Sequence, residues 1–261
     1  MKKSAPPQRA ADLAEMAAFF DRLARAHSER ITQDLESFTR QWERFSPGFL
    51  EVLAIARNSE RKSASAYNIF RVLRVEHDEE NTHSRFLADL LNPRGSHGQG
   101  HLFLKAFLDH CHEKQNSPPL SRDAFSMPWY VETEKGTQQG RIDIVIACPE
   151  AGYLVAIENK VFATEQERQI KRYHLWLESL SHGYAHRFLF FLTPDGRQPT
   201  TAGGCGCVAL SYRGDVSQIL RVTMDKLVAP HLRAIIDQYL EIVENLTPEN
   251  EARHEHGQIH C

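Results

Sequence analysis

Residues 140–173 read GRIDIVIACPEAGYLVAIENKVFATEQERQIKRY, and the rest of the chain is organised around this stretch. Ile142, Ile144 and Ile146 alternate with Asp143, Val145 and Ala147, the period-two pattern of a β-strand. Leu154, Val155, Ala156 and Ile157 form a second apolar run, set off upstream by Pro149 and Gly152. The two runs predict a hairpin with Cys148 to Tyr153 as its connection. The second strand ends in Glu158-Asn159-Lys160. Side chains alternate along a strand, so Glu158 and Lys160 face the same way. With Asp143 across from them, two carboxylates and an ammonium converge on one spot.

Burying such a cluster is costly without compensation. A hard divalent cation with oxygen ligands relieves the repulsion between the two carboxylates. Mg²⁺ bound in this way keeps several waters, and such a water can attack phosphorus. Lys160 would orient or deprotonate that water, or neutralise charge developing on phosphate. An exposed ion pair at a strand end has the same spacing, and the spacing does not separate the two readings.

Asp143, fourteen intervening residues and Glu158-Asn159-Lys160 together resemble the D…ExK signature of the PD-(D/E)XK nuclease superfamily, with Ile142 standing where the proline would be. Downstream, Gln169 with Arg172 and Tyr173 is similar to the Q…RY helix that follows the ExK strand in many members. Upstream, Glu80, His83-Ser84, Leu90-Leu91-Asn92-Pro93 and His97-Gly98 resemble the E…HS…LLxP…HG segment of one bacterial branch. These motifs span roughly residues 76 to 193, in the order the family has them.

The resemblance implies an α/β fold with an αβββαβ restriction-endonuclease-like core, a mixed central sheet, and helical additions at both ends. It implies a metal-dependent nuclease, with DNA as substrate, endonucleolytic cleavage and defence against foreign DNA following by analogy alone. Asp143, Glu158 and Glu80 are the expected ligands of Mg²⁺ or Mn²⁺, helped by a backbone carbonyl of Ile157 or Asn159. Lys160 is expected to position the nucleophilic water. Gln169, Arg172, Tyr173 and His83 are the expected substrate contacts. The alternative is a nuclease-fold module for nucleic-acid binding or assembly, catalytically silent or awaiting a partner.

The chain's 261 residues are enough to bury a sizeable core without staples. Its five scattered cysteines are odd in number and predict free thiols in a reducing cytoplasm. Met1-Lys2-Lys3 is followed by polar, proline-bearing sequence rather than an apolar stretch, so no signal peptide is expected. No membrane span is expected either. The formal charge of −3 excludes a protein that coats nucleic acid, though not a nuclease with cations focused near its cleft. Arg57, Arg61, Lys62, Arg71 and Arg74 against Glu60 offer such a focus, or else a solvated helix face.

Three parts are expected: an N-terminal helical arm at 1–60, a nuclease-like domain at 61–246 and a flexible tail at 247–261. In the arm, Leu13, Met16, Phe20, Leu23, Ile31, Leu35, Phe38, Trp42 and Phe45 recur mostly at helical steps, ending before Pro47-Gly48. This stripe would pair with a second copy in a homodimer, pack on the chain's own core, or clamp substrate. Glu79 to Leu91 reads as one helix on which Glu80 and His83, three apart, share a face, with Glu79 as the rival of Glu80. Thr164 to Leu180 reads as a helix opened by a Thr164/Glu167 capping box. Strands are expected near 129–134, 187–192 and 208–212, and a closing helix over 232–246.

Overall fold

The computed structural model describes residues 7–64 and 66–246; the tail expected at 247–261 lies outside them. The chain divides into two compact units, with the boundary between Tyr67 and Asn68. The first unit is helix α1, Pro7–Ser63. It runs through Pro47, where the sequence predicted a stop. Proline forfeits one backbone hydrogen bond in a helix interior, and a helix this long absorbs that loss. The helix expected to end before Pro47-Gly48 therefore continues past it as one element.

The second unit is built on a five-stranded sheet in the order β1-β2-β3-β4-β5. The strands are β1 (Tyr130–Thr137), β2 (Gly140–Cys148), β3 (Tyr153–Asn159), β4 (His186–Thr193) and β5 (Val208–Ser211). β1, β2 and β3 pair antiparallel, whereas β3–β4 and β4–β5 pair parallel. The sheet is therefore mixed. β3 lies at its centre, and every residue of β3 is buried. A strand covered on both faces has no solvated side, so its apolar run is continuous rather than alternating.

Helices cover both faces. Short α2 (Ile69–Val72) precedes α3 (Arg85–Leu91) and α4 (Leu102–Lys114). With α6 (Ser217–Met224) and α7 (Pro230–Glu244), these close the larger core over Ile144, Ile146, Val155, Ile157, Phe190 and Leu192. The opposite face carries α5 (Gln169–Ser179), whose Ile170, Tyr173 and Leu177 pack with Ile142, Val145, Leu154, Ala156 and Phe191. The sequence α3, β1–β3, α5, β4 is the expected αβββαβ core, and the fold is restriction-endonuclease-like.

Two local features differ from the sequence reading, and both lie beside the cluster of charges. Ile142 joins the layer of Val145 rather than that of Ile144, so the alternation in β2 breaks at Asp143. Across the ladder, Glu134 adopts a left-handed φ of 53° between the paired Thr133–Ile144 and Lys135–Ile142. Non-glycine residues in this region are strained, and such strain collects at functional sites. The second feature is the start of α5, five residues later than predicted. Arg168 sits at φ 51°, and the carboxylate of Glu165 is engaged by Arg197, Thr200 and Thr201. Thr164 and Glu167 therefore lie ahead of the helix instead of capping it.

Candidate active site

The β2–β3 ladder ends at the pair Ile144–Ile157. One residue further on, the Asp143 side chain takes the place of a backbone partner. Its Oδ2 accepts from the Asn159 N–H at 2.7 Å. The strand ends are thus tied by a carboxylate, which brings Asp143 beside Glu158 and Lys160. Lys160 is fixed in turn by its own N–H, which donates to the Leu192 carbonyl of β4 at 2.8 Å.

Glu158 is fully buried, and one of its oxygens has two donors. Lys160 Nζ lies 2.7 Å from Oε1, and Gln169 Nε2 donates to the same oxygen at 2.6 Å. Its other oxygen, Oε2, is buried with no hydrogen-bond partner. Burial pushes the Glu158 pKa well above the usual carboxylate range, and repulsion from Asp143 adds to this against the pull of Lys160. Burial likewise raises the pKa of Asp143 to about 6. Lys160 feels the opposite balance. Burial works against its charge, but Glu158, Asp143 and Glu79 outweigh it and raise its pKa, so the group is held as an ammonium.

The acidic residue that reaches this cluster from the helical side is Glu79. Its Oε1 lies 3.3 Å from Lys160 Nζ, and its Oε2 accepts from the Val161 N–H at 2.7 Å. Glu80, the residue expected here, pairs instead with exposed Arg141 at 3.5 Å. The difference has a backbone cause. Glu79–Ser84 is a π-helical turn, capped by the Asp78 side chain on the Asn81 N–H. The His83 N–H bonds back to the Asp78 carbonyl, five residues earlier. A π-turn widens the helix, so residues three apart no longer share a face, and such turns gather at functional sites.

His83, expected to meet substrate, is sealed in the core with no surface exposed. Its Nε2 lies 2.9 Å from the Glu76 carbonyl, and its Nδ1 lies 2.9 Å from the Tyr239 hydroxyl. Burial lowers its pKa to about 4 and keeps it neutral at pH 7. The carbonyl can only accept, so Nε2 carries the proton and Nδ1 accepts from Tyr239.

The expected substrate contacts on α5 also turn inward. Gln169 and Tyr173 are buried. Gln169 Nε2 reaches the Tyr173 hydroxyl at 3.2 Å as well as Glu158, and that hydroxyl donates to the Arg141 carbonyl at 2.6 Å. Gly140 is needed for this approach, because a Cβ there would lie 3.2 Å from the Tyr173 ring, at a φ of 130°. Gln169 and Tyr173 thus orient Glu158 and the start of β2. Arg172 remains at the surface side, bonded to Gln166 at 3.2 Å.

A divalent cation fits this donor set. The unpartnered Glu158 oxygen and the neighbouring Asp143 carboxyl form a pair of hard oxygen ligands whose mutual repulsion a cation would remove. No cluster of three or more His, Cys, Asp or Glu side chains with metal-holding geometry occurs among the described residues. Cys111, Cys148, Cys205 and Cys207 are free thiols.

The fold and this site define a nuclease of the restriction-endonuclease-like class. A sequence profile of the PD-(D/E)XK nuclease superfamily matches residues 67–257, and the chain belongs to that superfamily. Its members generally use divalent metals. Comparison with curated proteins and with solved structures gives no significant match. Among the described residues, no helix is long and apolar enough to cross a membrane.

Proposed function

We propose that the protein is a Mg²⁺- or Mn²⁺-dependent endonuclease acting on DNA. The observation that carries this reading is the bare, buried Glu158 oxygen beside Asp143, with Lys160 against the same carboxylate. Asp143 and Glu158 would hold the cation, with Glu79, in place of Glu80, at the edge of the site. When bound, the cation polarises the scissile phosphate and lowers the pKa of an attached water. Lys160, held protonated by three carboxylates, orients the attacking water and balances charge on the phosphate rather than serving as the base. Gln169 and Tyr173 keep Glu158 from rotating, and Arg172 is placed to meet a backbone phosphate. DNA as substrate and action against foreign DNA rest on the family resemblance, and a cytoplasmic setting on the free thiols.

Incubating supercoiled plasmid with protein and Mg²⁺ or Mn²⁺ tests the reading, with Asp143→Ala and Lys160→Ala in parallel. Nicking by the wild type alone is the expected result. Equal nicking by all three proteins would assign the activity to a contaminant. No nicking together with retained DNA binding would favour a silent or partner-activated module.

A homodimer through α1 belongs to the same proposal. The stripe from Leu13 to Phe45 recurs at coiled-coil-like steps, and a second copy side by side would cover it. Light scattering of the intact chain is expected to give twice the monomer mass. Leu35→Asp with Phe38→Asp is expected to give the monomer, and a monomeric wild type would refute the dimer.

A further inference from the structure

Asn159 stands between the two charged residues of the ExK strand end, and its side chain points to the opposite face of the sheet. On that face it is fully buried and bonded at every polar atom. Its Oδ1 accepts from the Tyr212 hydroxyl at 3.0 Å. Its Nδ2 donates to Ser84 Oγ at 3.0 Å and approaches the Glu79 carbonyl at 3.4 Å. Tyr212 and Ser84 are themselves buried, and the Tyr212 ring meets His83 edge-on at 5.2 Å. The amide is therefore clamped by elements on both sides, the turn carrying Glu79 and the segment after β5.

On the site face, the backbone of the same residue touches the charges directly. Its N–H holds Asp143 Oδ2 at 2.7 Å, and its carbonyl accepts from Lys160 Nζ at 3.1 Å. One residue thus links Asp143, Lys160 and the Glu79 segment. Rotation of its backbone would move two of the three charges at once.

We infer that Asn159 is a positioning residue, and that Tyr212 and Ser84, by clamping its amide behind the sheet, set the orientation of Asp143 and Lys160 for the cation. The inference rests on the proposed nuclease site. Asn suits the role because its amide both donates and accepts, whereas aspartate could not donate to the Glu79 carbonyl and leucine could do neither. Groups behind metal ligands act in this way, and their loss typically costs about 10- to 100-fold in metal affinity or activity.

The test compares Tyr212→Phe, Ser84→Ala and Asn159→Ala with a control, Ile236→Val, which trims the same core cluster on α7 without touching the clamp. Mn²⁺ binding is measured by calorimetry, and the half-saturating Mn²⁺ for plasmid nicking is measured alongside. Tyr212→Phe keeps the ring and loses one hydroxyl, so it is expected to fold. Ser84→Ala releases the other end of the same amide and is the second variant if Tyr212→Phe does not fold. The expected result is about a tenfold or greater weakening of Mn²⁺ binding in the clamp variants, with the half-saturating concentration moving in parallel, and no shift in the control. Clamp variants that bind Mn²⁺ as the wild type does overturn the inference and leave the nuclease reading intact. A wild type that neither binds Mn²⁺ nor nicks DNA overturns both.

Discussion

Glu158 and Glu165 lie seven residues apart, and the fold covers both side chains, yet their surroundings are opposite. Glu165 accepts from Arg197 Nη1 at 2.7 Å, from the Thr200 N–H at 3.0 Å and from the Thr201 N–H at 2.9 Å. The Thr200 and Thr201 hydroxyls add bonds at 3.1 and 2.7 Å. Burial alone would raise its pKa, but the donors from Thr200, Arg197 and Thr201 outweigh it and bring it down to about 2. Glu158 has two donors on one oxygen and none on the other, and its pKa moves upward. The chain can therefore satisfy a buried carboxylate when the acid is there to hold a loop. Where it leaves one open, at a cost in stability, the open oxygen of Glu158 is where the proposed cation would bind.

Neutral isosteres turn this contrast into a double dissociation. Glu158→Gln is expected to lower metal-dependent cleavage by about a thousandfold or more, the scale set by several kcal/mol of metal-ion catalysis. Its thermal midpoint without metal should stay level or rise, because the amide oxygen still accepts from Lys160 and Gln169 while a carboxyl whose ionisation burial opposes is gone. Glu165→Gln should do the reverse. It is expected to lose about 2 kcal/mol of stability in urea, as charge-assisted bonds weaken, while each folded molecule cleaves normally. Equal loss of activity in the two variants would erase the distinction.

Protonation extends the comparison to a buried base. His83 is folded with a pKa of about 4, below its ordinary value of 6.5. The unfolded chain takes up this proton first, so the contribution is full above pH 6.5, is lost as the pH falls from 6.5 towards 4, and changes no further below that. The full loss amounts to about 3 kcal/mol, so the stability of wild type relative to His83→Asn should fall by most of that between urea melts at pH 7 and at pH 4.5. A flat difference would mean that the site is not sealed. The smallest contrast is between neighbours. Glu79→Gln should slow cleavage by about tenfold, as expected of a group that positions Lys160, whereas Glu80→Gln should change it less than about twofold. The reverse order would return Glu80 to the site.

Much of the core was readable from residue order, because a hairpin and the acids at its ends are local features. Asp143, Glu158 and Lys160 follow from the period of two and a single turn. Glu79 stands in sequence only as the rival of Glu80, since the ordinary helical period over Glu79–Leu91 hides a π-turn that is set by the Asp78 cap. The run of acids before Asn81 was the available signal. The role of Glu165 is invisible locally, because its partners, Thr200 and Thr201, lie thirty-five and thirty-six residues on. Ser84 stands in the upstream motif and Tyr212 carries no local mark, but the contact of either with Asn159 exists only once β3 is sandwiched between the two segments. Contacts made across layers leave little trace in periodicity.

The central claim, that the open Glu158 oxygen and Asp143 form a cation site, is tested most directly by Mn²⁺ titration calorimetry on wild type, Glu158→Gln and Glu165→Gln. The account predicts one site in the wild type and in Glu165→Gln, and none in Glu158→Gln. Equal binding by all three proteins, or binding by none, would contradict it.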